Sequence, residues 1–371
     1  MARQTVRYTK NPRLQPWIFG VSVLFGSIGI TACVFAENTG SSEADTQYRT
    51  GVQRAAEGDL SAAEATFQQA IASDKKAVGP CIALGELYLT GLGKTEKALQ
   101  AYREAVTRDS QHSGARYGLG IALVALGQSE EAEAELKKSA ALAPKNPLPL
   151  QALGRLYASV HQDEKAREAF DAALAREPKF AEAYIDRGNL WLARGDNKQA
   201  IAEYERALAV NPRLAEAHVR IGMVLQSQNR AQEAEQAYAT AIQLDSTQSI
   251  AYNNLAWMAL ERKDNLDKAL EWAEKAVELQ PTILQFQDTL GWVHRSRGEL
   301  DKAAAILEKA STLLDAKQAL VLSQIFEHLS TVYSEQGKST EATRAMHQSE
   351  SLKSVTILER AAKEFGEGSQ E

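Results

Sequence analysis

A small residue returns along this chain at a nearly constant interval. The series is Gly51, Gly85, Gly120, Gly154, Gly188, Gly222, Ala256 and Gly291, with steps of 34, 35, 34, 34, 34, 34 and 35 residues. Two further series keep the same period: Ala63, Ala98, Ala132, Ala166, Ala200, Ala234, Ala269 and Ala303, and Ala70, Ala105, Ser139, Ala173, Ala207, Ala241, Ala276 and Ala310. Three phases locked together over most of 371 residues mean that one supersecondary unit is copied in tandem. A chain this long is large for a single compact core. Tandem copies remove that difficulty, because each unit buries its apolar face on its neighbours.

One copy, Ala181 to Leu214, shows what the unit is. Tyr184, Arg187, Gly188 and Trp191 recur at i, i+3, i+4 and i+7, one face of a helix. Gly195 and Asp196 interrupt it, and Ala200, Ile201, Tyr204, Ala207 and Leu208 form a second helical face. Asn211-Pro212 ends that one, since proline has no N–H to donate and disfavours a helical residue before it. The unit is a helix–turn–helix hairpin. Gly188, Ala200 and Ala207 let the two backbones approach, with Tyr184, Trp191 and Tyr204 expected to fill the space beside them.

The pattern resembles the tetratricopeptide-repeat (TPR) family, whose hallmark is a bulky residue, Leu-Gly, a tyrosine, then Ala, an aromatic, Ala and a closing proline. Ala83-Leu84-Gly85-Glu86-Leu87-Tyr88, Ala152-Leu153-Gly154-Arg155-Leu156-Tyr157 and Asp288-Thr289-Leu290-Gly291-Trp292-Val293 carry it, and Pro144, Pro178, Pro212 and Pro281 stand at the closing position. The resemblance implies an all-α, right-handed superhelical solenoid of about nine hairpins plus a C-terminal capping helix. Eight units occupy 44–317, after a linker at 37–43. A degenerate ninth unit, a capping helix with the stripe Ile357, Leu358, Ala361, Ala362 and Phe365, and a polar tail occupy 318–371. The step from Gly291 to Ser330 is 39, which places the extra residues in a longer first helix running through Gln318 to Leu322.

Residues 1–36 differ in kind. Trp17 to Ala36 is twenty residues without a charge, preceded by Arg3, Arg7, Lys10 and Arg13 with no acid among them. Twenty helical residues rise roughly 30 Å, the thickness of a hydrocarbon core. The segment is read as an export signal or membrane anchor. The positive-inside bias then puts the repeats on the extracytoplasmic, periplasmic side of a bacterial envelope. Three fates fit. Ile30-Thr31-Ala32-Cys33 resembles a bacterial lipobox, in which Cys33 is lipidated; the stretch remains as an uncleaved helix; or cleavage follows Ala36.

Composition and motifs exclude several function classes. The chain carries −6 and the first 36 residues contribute +4, leaving −10 on the repeats with no basic stripe, which argues against nucleic-acid binding. Cys33 and Cys81 are the only cysteines, so no disulfide can form within the repeats, and Cys81 falls on a core-facing position. The histidines, His112, His161, His218, His294, His328 and His347, lack metal-ligand spacing and read as packing residues, with His294 and His328 at or beside core-facing phases. There is no phosphate loop or nucleophile elbow; Gly91-Leu92-Gly93-Lys94 reads as a turn lengthened by one residue. No enzyme activity, cofactor, metal or small-molecule substrate is expected.

Recognition of a protein or peptide partner remains. In the resembled family the first helices line a concave groove, at positions one residue after the Gly phase and four before that. Carried over, these are Asn189, Met223, Trp257 and Trp292, with Ile185, Val219, Asn253 and Asp288 a turn earlier. Asn253, Asn254, Trp257 and Glu261 are expected next to Asp288, Trp292 and Arg295, with the chemistry of a peptide hot spot. The other reading is that the two tryptophans fill the seam between adjacent first helices. The function expected is a non-catalytic scaffold or assembly factor, membrane-tethered through its N-terminal segment. A self-associating structural array, or an accessory subunit of an envelope secretion or polysaccharide-export machine, are the alternatives.

Overall fold

The computed structural model describes residues 43–312 and 318–367, so Cys33 and the Trp17–Ala36 segment lie outside the described residues. The described residues are helical, without a strand, and fall into two compact units divided after Pro212.

The first unit holds five hairpins: α1 (Glu43–Ala56) with α2 (Leu60–Ser73), α3 (Gly79–Glu86) with α4 (Thr95–Arg108), α5 (Ser113–Ala125) with α6 (Ser129–Leu142), α7 (Leu148–Ser159) with α8 (Asp163–Arg176), and α9 (Ala181–Ala193) with α10 (Asn197–Val210). The second holds four: α11 (Ala215–Ser227) with α12 (Ala231–Leu244), α13 (Ser249–Arg262) with α14 (Leu266–Leu279), α15 (Leu284–Ser296) with α16 (Leu300–Ser311), and α17 (Ala319–Glu335) with α18 (Ser339–Glu367). Within each unit a helix packs first on its hairpin partner and then on the following hairpin, as a tandem array requires.

Each of the nine turns contains a residue in the left-handed region. Six are glycines, at 58, 93, 127, 195, 298 and 337; the others are His161, Asn229 and Lys263. A backbone N–H just past the turn then reaches back to a carbonyl in the last turn of the first helix, as Asp196 does to Trp191 at 3.0 Å. This is the usual αL closure of a helix C-terminus. Asp59 and Asp196 cap the second helices that follow, accepting from the Ala62 and Gln199 N–H groups at 3.0 Å each.

The small residue of each first helix is explained by what lies on it. A methyl group placed on Gly188 would stand 2.5 Å from the Tyr204 ring, and one on Gly222 would stand 2.7 Å from the Tyr238 ring. Phe67, Tyr102, Leu136, Phe170 and Leu307 lie in the same way on Gly51, Gly85, Gly120, Gly154 and Gly291. Large residues expected beside the glycines therefore divide: the second-helix side chain lies on the glycine and is buried, whereas Tyr184 and Trp191 are only partly covered. One hairpin reverses the sizes. Its first-helix residue is Ala256, and the facing residue, four after Ala269, is Ala273; both are fully buried.

The two 35-residue steps are absorbed differently. In the second hairpin the extra residue is taken into the helix: Leu87–Gly91 continue α3 as a π-helical turn, with the Leu92 N–H bonded to the Leu87 carbonyl at 3.0 Å. This corrects the sequence reading, which put the insertion in the turn. In the seventh hairpin the extra residue does lie in the turn, where both Lys263 and Asn265 take the left-handed conformation.

The ninth hairpin has the longer first helix expected, α17 at 17 residues. Its second helix then runs without a break from Ser339 to Glu367, so the segment expected as a separate capping helix is the prolongation of α18.

The reciprocal sizes at 256 and 273 generate a prediction. Ala273→Phe alone overpacks the hairpin by about 1–3 kcal/mol. Ala256→Gly alone costs about 0.5–1 kcal/mol of helix stability. Together they rebuild the glycine–phenylalanine contact of Gly154 with Phe170, so urea melts of the four proteins show the double variant recovering most of the Ala273→Phe loss.

Candidate functional site

The first helices present a row at the position one residue after the glycine phase and at the position four before that. In the second unit this row holds the expected binding residues, and the structure divides them by burial.

Met223, Asn253 and Asp288 are buried, as is Val219, so they form the floor of the row. Asn254 is committed to packing. Its Nδ2 donates to the Tyr238 hydroxyl at 3.0 Å, and that hydroxyl donates to Gln226 Oε1 at 2.9 Å. Asn253 sits beside it, with Nδ2 at 3.5 Å from Asn254 Oδ1 and its own Oδ1 screened from solvent without a partner. Asn189, in the first unit, plays the same structural part, accepting from the Tyr204 hydroxyl at 2.9 Å. Amides at these positions hold the buried tyrosines that lie on the glycines, since a buried hydroxyl left unpaired is costly.

Trp257 and Trp292 reach the surface. Both are partly buried and pack against one apolar cluster that includes Ala256, Leu260, Leu290 and Val293. The Trp257 indole N–H donates to Glu261 Oε1 one helical turn on, at 2.8 Å. Trp292 is held more tightly. Its ring stacks on His328 of α17, with centroids 4.0 Å apart and planes inclined by 24°, and the Arg295 guanidinium stands 4.3 Å from its centroid. His328 Nδ1 pairs with the buried Asp288 carboxylate, and Arg295 makes a two-pronged ion pair with Glu335, one contact being Nε to Oε2 at 3.0 Å. Asp288, Trp292 and Arg295 are thus brought together, joined to α17 by two residues a sequence reading does not pair with them. His328 and Glu335 each stand 40 residues after their partners. The displaced register of the ninth unit hides that relation.

The first unit carries the same row with different chemistry. Its first three hairpins present Tyr48 and Val52, Ile82 and Glu86, and Tyr117 and Ile121, all partly buried. The apolar members of this set pack against the unit's core. On α7 the row turns ionic, where Gln151 Nε2 and Arg155 Nε donate to Asp186 Oδ2 of α9 at 2.7 and 2.8 Å. Glu86 makes no side-chain hydrogen bond or ion pair among the described residues. Burial holds its carboxyl above the usual carboxylate range. Desolvation raises the phenols of Tyr48 and Tyr102, the Glu86 charge adds to both, and Tyr117 adds to the effect on Tyr102.

Elsewhere the chemistry is quiet. Cys81 is fully buried, its thiol pushed up to about 11 mainly by desolvation, which makes it an inert core residue. His161 serves as a left-handed turn residue, and His294 Nδ1 lies 2.8 Å from Glu299. Among the described residues no group of three or more His, Cys, Asp and Glu side chains could hold a metal ion.

TPR family models match residues 89–156, 152–215, 186–249, 219–282 and 284–309. The chain belongs to the TPR family. Among solved structures it is similar to yeast Tom70, at 18% identity and a TM-score of 0.65 over 81% of this chain and 66% of that one, so it spans just under two thirds of Tom70. A TPR protein of Parabacteroides merdae shares 18% identity with a TM-score of 0.50, covering 70% of this chain and 99% of that one. A thermophilic TPR protein of Thermus thermophilus shares 27% identity over 49% of this chain and 99% of its own, with a TM-score of 0.44. The first two likenesses speak to the fold. No curated protein matches the chain.

Glu86 generates a pH prediction. A carboxyl raised above its unfolded value binds its proton more tightly in the folded protein, so the stability gained by protonation is fully present below the ordinary glutamate value. It is lost as pH rises through the raised one. Glu86→Gln, permanently neutral, therefore melts above the wild type at neutral pH, and the gap closes as pH falls below the ordinary glutamate range. Thermal melts across that window check it; a Gln variant that melts lower at neutral pH contradicts the assignment.

Proposed function

We propose that the chain is a non-catalytic scaffold or assembly factor that grips a polypeptide segment of a partner along the first-helix row of its second unit. The observation that carries this reading is the pair Trp257 and Trp292. They stand at the same position of adjacent first helices, seated on one apolar cluster yet partly open. Rigid aromatics anchored from below and flanked by Glu261 and Arg295 have the make-up of a binding hot spot: area from the rings, register from the charges. The membership of a repeat family whose proteins are generally scaffolds supports the same class.

The structure separates the two tryptophans in an experiment. Trp257→Ala lowers affinity for a crosslinked and purified partner by about 2 kcal/mol or more while stability changes little. Trp292→Ala removes the stack on His328 and costs stability as well, toward the roughly 3–5 kcal/mol of a buried aromatic. Melts and pull-downs on both variants decide it. A large fall in melting temperature for Trp257→Ala with binding retained at permissive temperature would sink the proposal.

The placing belongs to the same reading: the repeats work on the extracytoplasmic side of a bacterial envelope, tethered through residues 1–36. Its support is the uncharged run Trp17 to Ala36 behind a basic flank and the lipobox-like Ile30-Thr31-Ala32-Cys33. Among the described residues no helix is long and apolar enough to cross a membrane. With lipidation, a clickable fatty acid labels the wild type and not Cys33→Ala, which keeps its leader. An unlabelled wild type beginning at Glu37 would favour a soluble product instead.

A further inference from the structure

The first unit contains a polar group that its own fold leaves unanswered. At the position one residue after the glycine phase the row reads Val52, Glu86, Ile121, Arg155 and Asn189 in this unit. Arg155 is paired with Asp186, and Asn189 with the Tyr204 hydroxyl. Glu86 is the one acid among the five, and no described residue bonds to it or neutralises it. Its setting is apolar, between α1 with Tyr48 and Val52 and α5 with Tyr117 and Ile121, all only partly buried.

Tyr102 of α4 lies under the same residues, its ring against Gly85 and Gly118. In the fifth and sixth hairpins the matching tyrosines, Tyr204 and Tyr238, have hydroxyls held by amides. Among the described residues Tyr102 makes no such hydrogen bond, although it stands close enough to Glu86 for the carboxylate to act on it. A carboxylate withdrawn from water and lacking a partner is unfavourable in the free protein. A cation brought in among apolar groups relieves that penalty. Phenol rings beside the carboxylate favour an organic cation over a bare ion, because their faces attract ammonium and guanidinium groups.

We propose that the first-helix row of the first unit is a second binding site, which takes a partner segment of apolar residues carrying one lysine or arginine. The apolar side chains lie on Val52, Ile82 and Ile121, and the cationic one reaches Glu86. This site is separate from the tryptophan row and does not depend on that reading. The complementarity also gives specificity: an acidic or uncharged side chain at that point leaves the partly buried Glu86 without compensation.

The probe is a phage-displayed library of short random peptides, selected on the immobilised full chain. The best binders are then resynthesised and measured by fluorescence polarisation. The expected selection is peptides with one lysine or arginine among apolar residues. Glu86→Gln weakens them by about tenfold or more, as for removal of one partner of a desolvated charge pair. Replacing the peptide's cation by norleucine weakens binding to the wild type by a similar factor and has little further effect on the Gln variant. Trp257→Ala leaves these peptides bound. Circular dichroism confirms that the Gln variant is folded.

A selection without a cationic preference, or with no binders, overturns the proposal, as does equal binding by Glu86→Gln. Peptides lost with Trp257→Ala but not with Glu86→Gln would assign the recovered binding to the tryptophan row alone and overturn this site without touching the other. Concentration-dependent self-association of the wild type, abolished by Glu86→Gln in sedimentation runs, would put a second copy of the chain here in place of a partner peptide.

Discussion

The architecture depends on one contact: a side chain of the second helix lying flat on the glycine of the first. Helices this close cannot tolerate a Cβ at the contact, as the Gly188 and Tyr204 geometry shows. The contact sets the interhelical distance in seven of the nine hairpins, and with it the small residues of the other two series, which are buried throughout, Ala63, Ala166, Ala200 and Ala234 among them. It is a volume constraint, not a requirement for glycine as such. Ala256 with Ala273 satisfies it with the bulk divided evenly. That explains how one hairpin departs from the glycine series without leaving the period.

The same constraint explains what was legible beforehand. A contact repeated at fixed phase writes itself into the sequence as periodicity, so the hairpins, their order and their number could be read from spacing alone. Departures from the period were harder. Both 35-residue steps announced an extra residue, but spacing cannot say whether the residue enters the helix or the turn. In the second hairpin Leu87–Gly91 widen into a π turn, and in the seventh Lys263 and Asn265 take up the slack. Helix α18 was misread for a related reason: the ninth repeat keeps its phase poorly, so nothing in the pattern marked Ser339–Glu367 as continuous.

The candidate site was less legible than the fold, because a row position says which way a residue points and not what it meets there. Asn254 and Asn189 sit where groove residues are expected, yet both hold tyrosine hydroxyls. Trp292 fills the seam toward α17 by stacking on His328 and still keeps part of its ring open. Glu335 could not be found by phase, since the shifted ninth repeat moves it out of line with Arg295. Glu86 was visible only as a letter within the family motif. Its lack of a partner is a property of three-dimensional surroundings, and no spacing encodes it.

A division of labour follows within each hairpin. The glycine and the large residue facing it are locked by packing, so their identity reports on the fold. The next residue along the first helix stands at the edge of that contact and is free of the volume constraint. Valine, glutamate, isoleucine, arginine, asparagine, methionine and tryptophan all occur there along this one chain. Where such a residue is polar and serves the fold, its side chain finds a bond inside the protein, as Asn189 does with Tyr204 and Arg155 does with Asp186. Glu86 is polar and finds no such bond among the described residues. Its partial burial disfavours the charge that a cationic partner segment would meet.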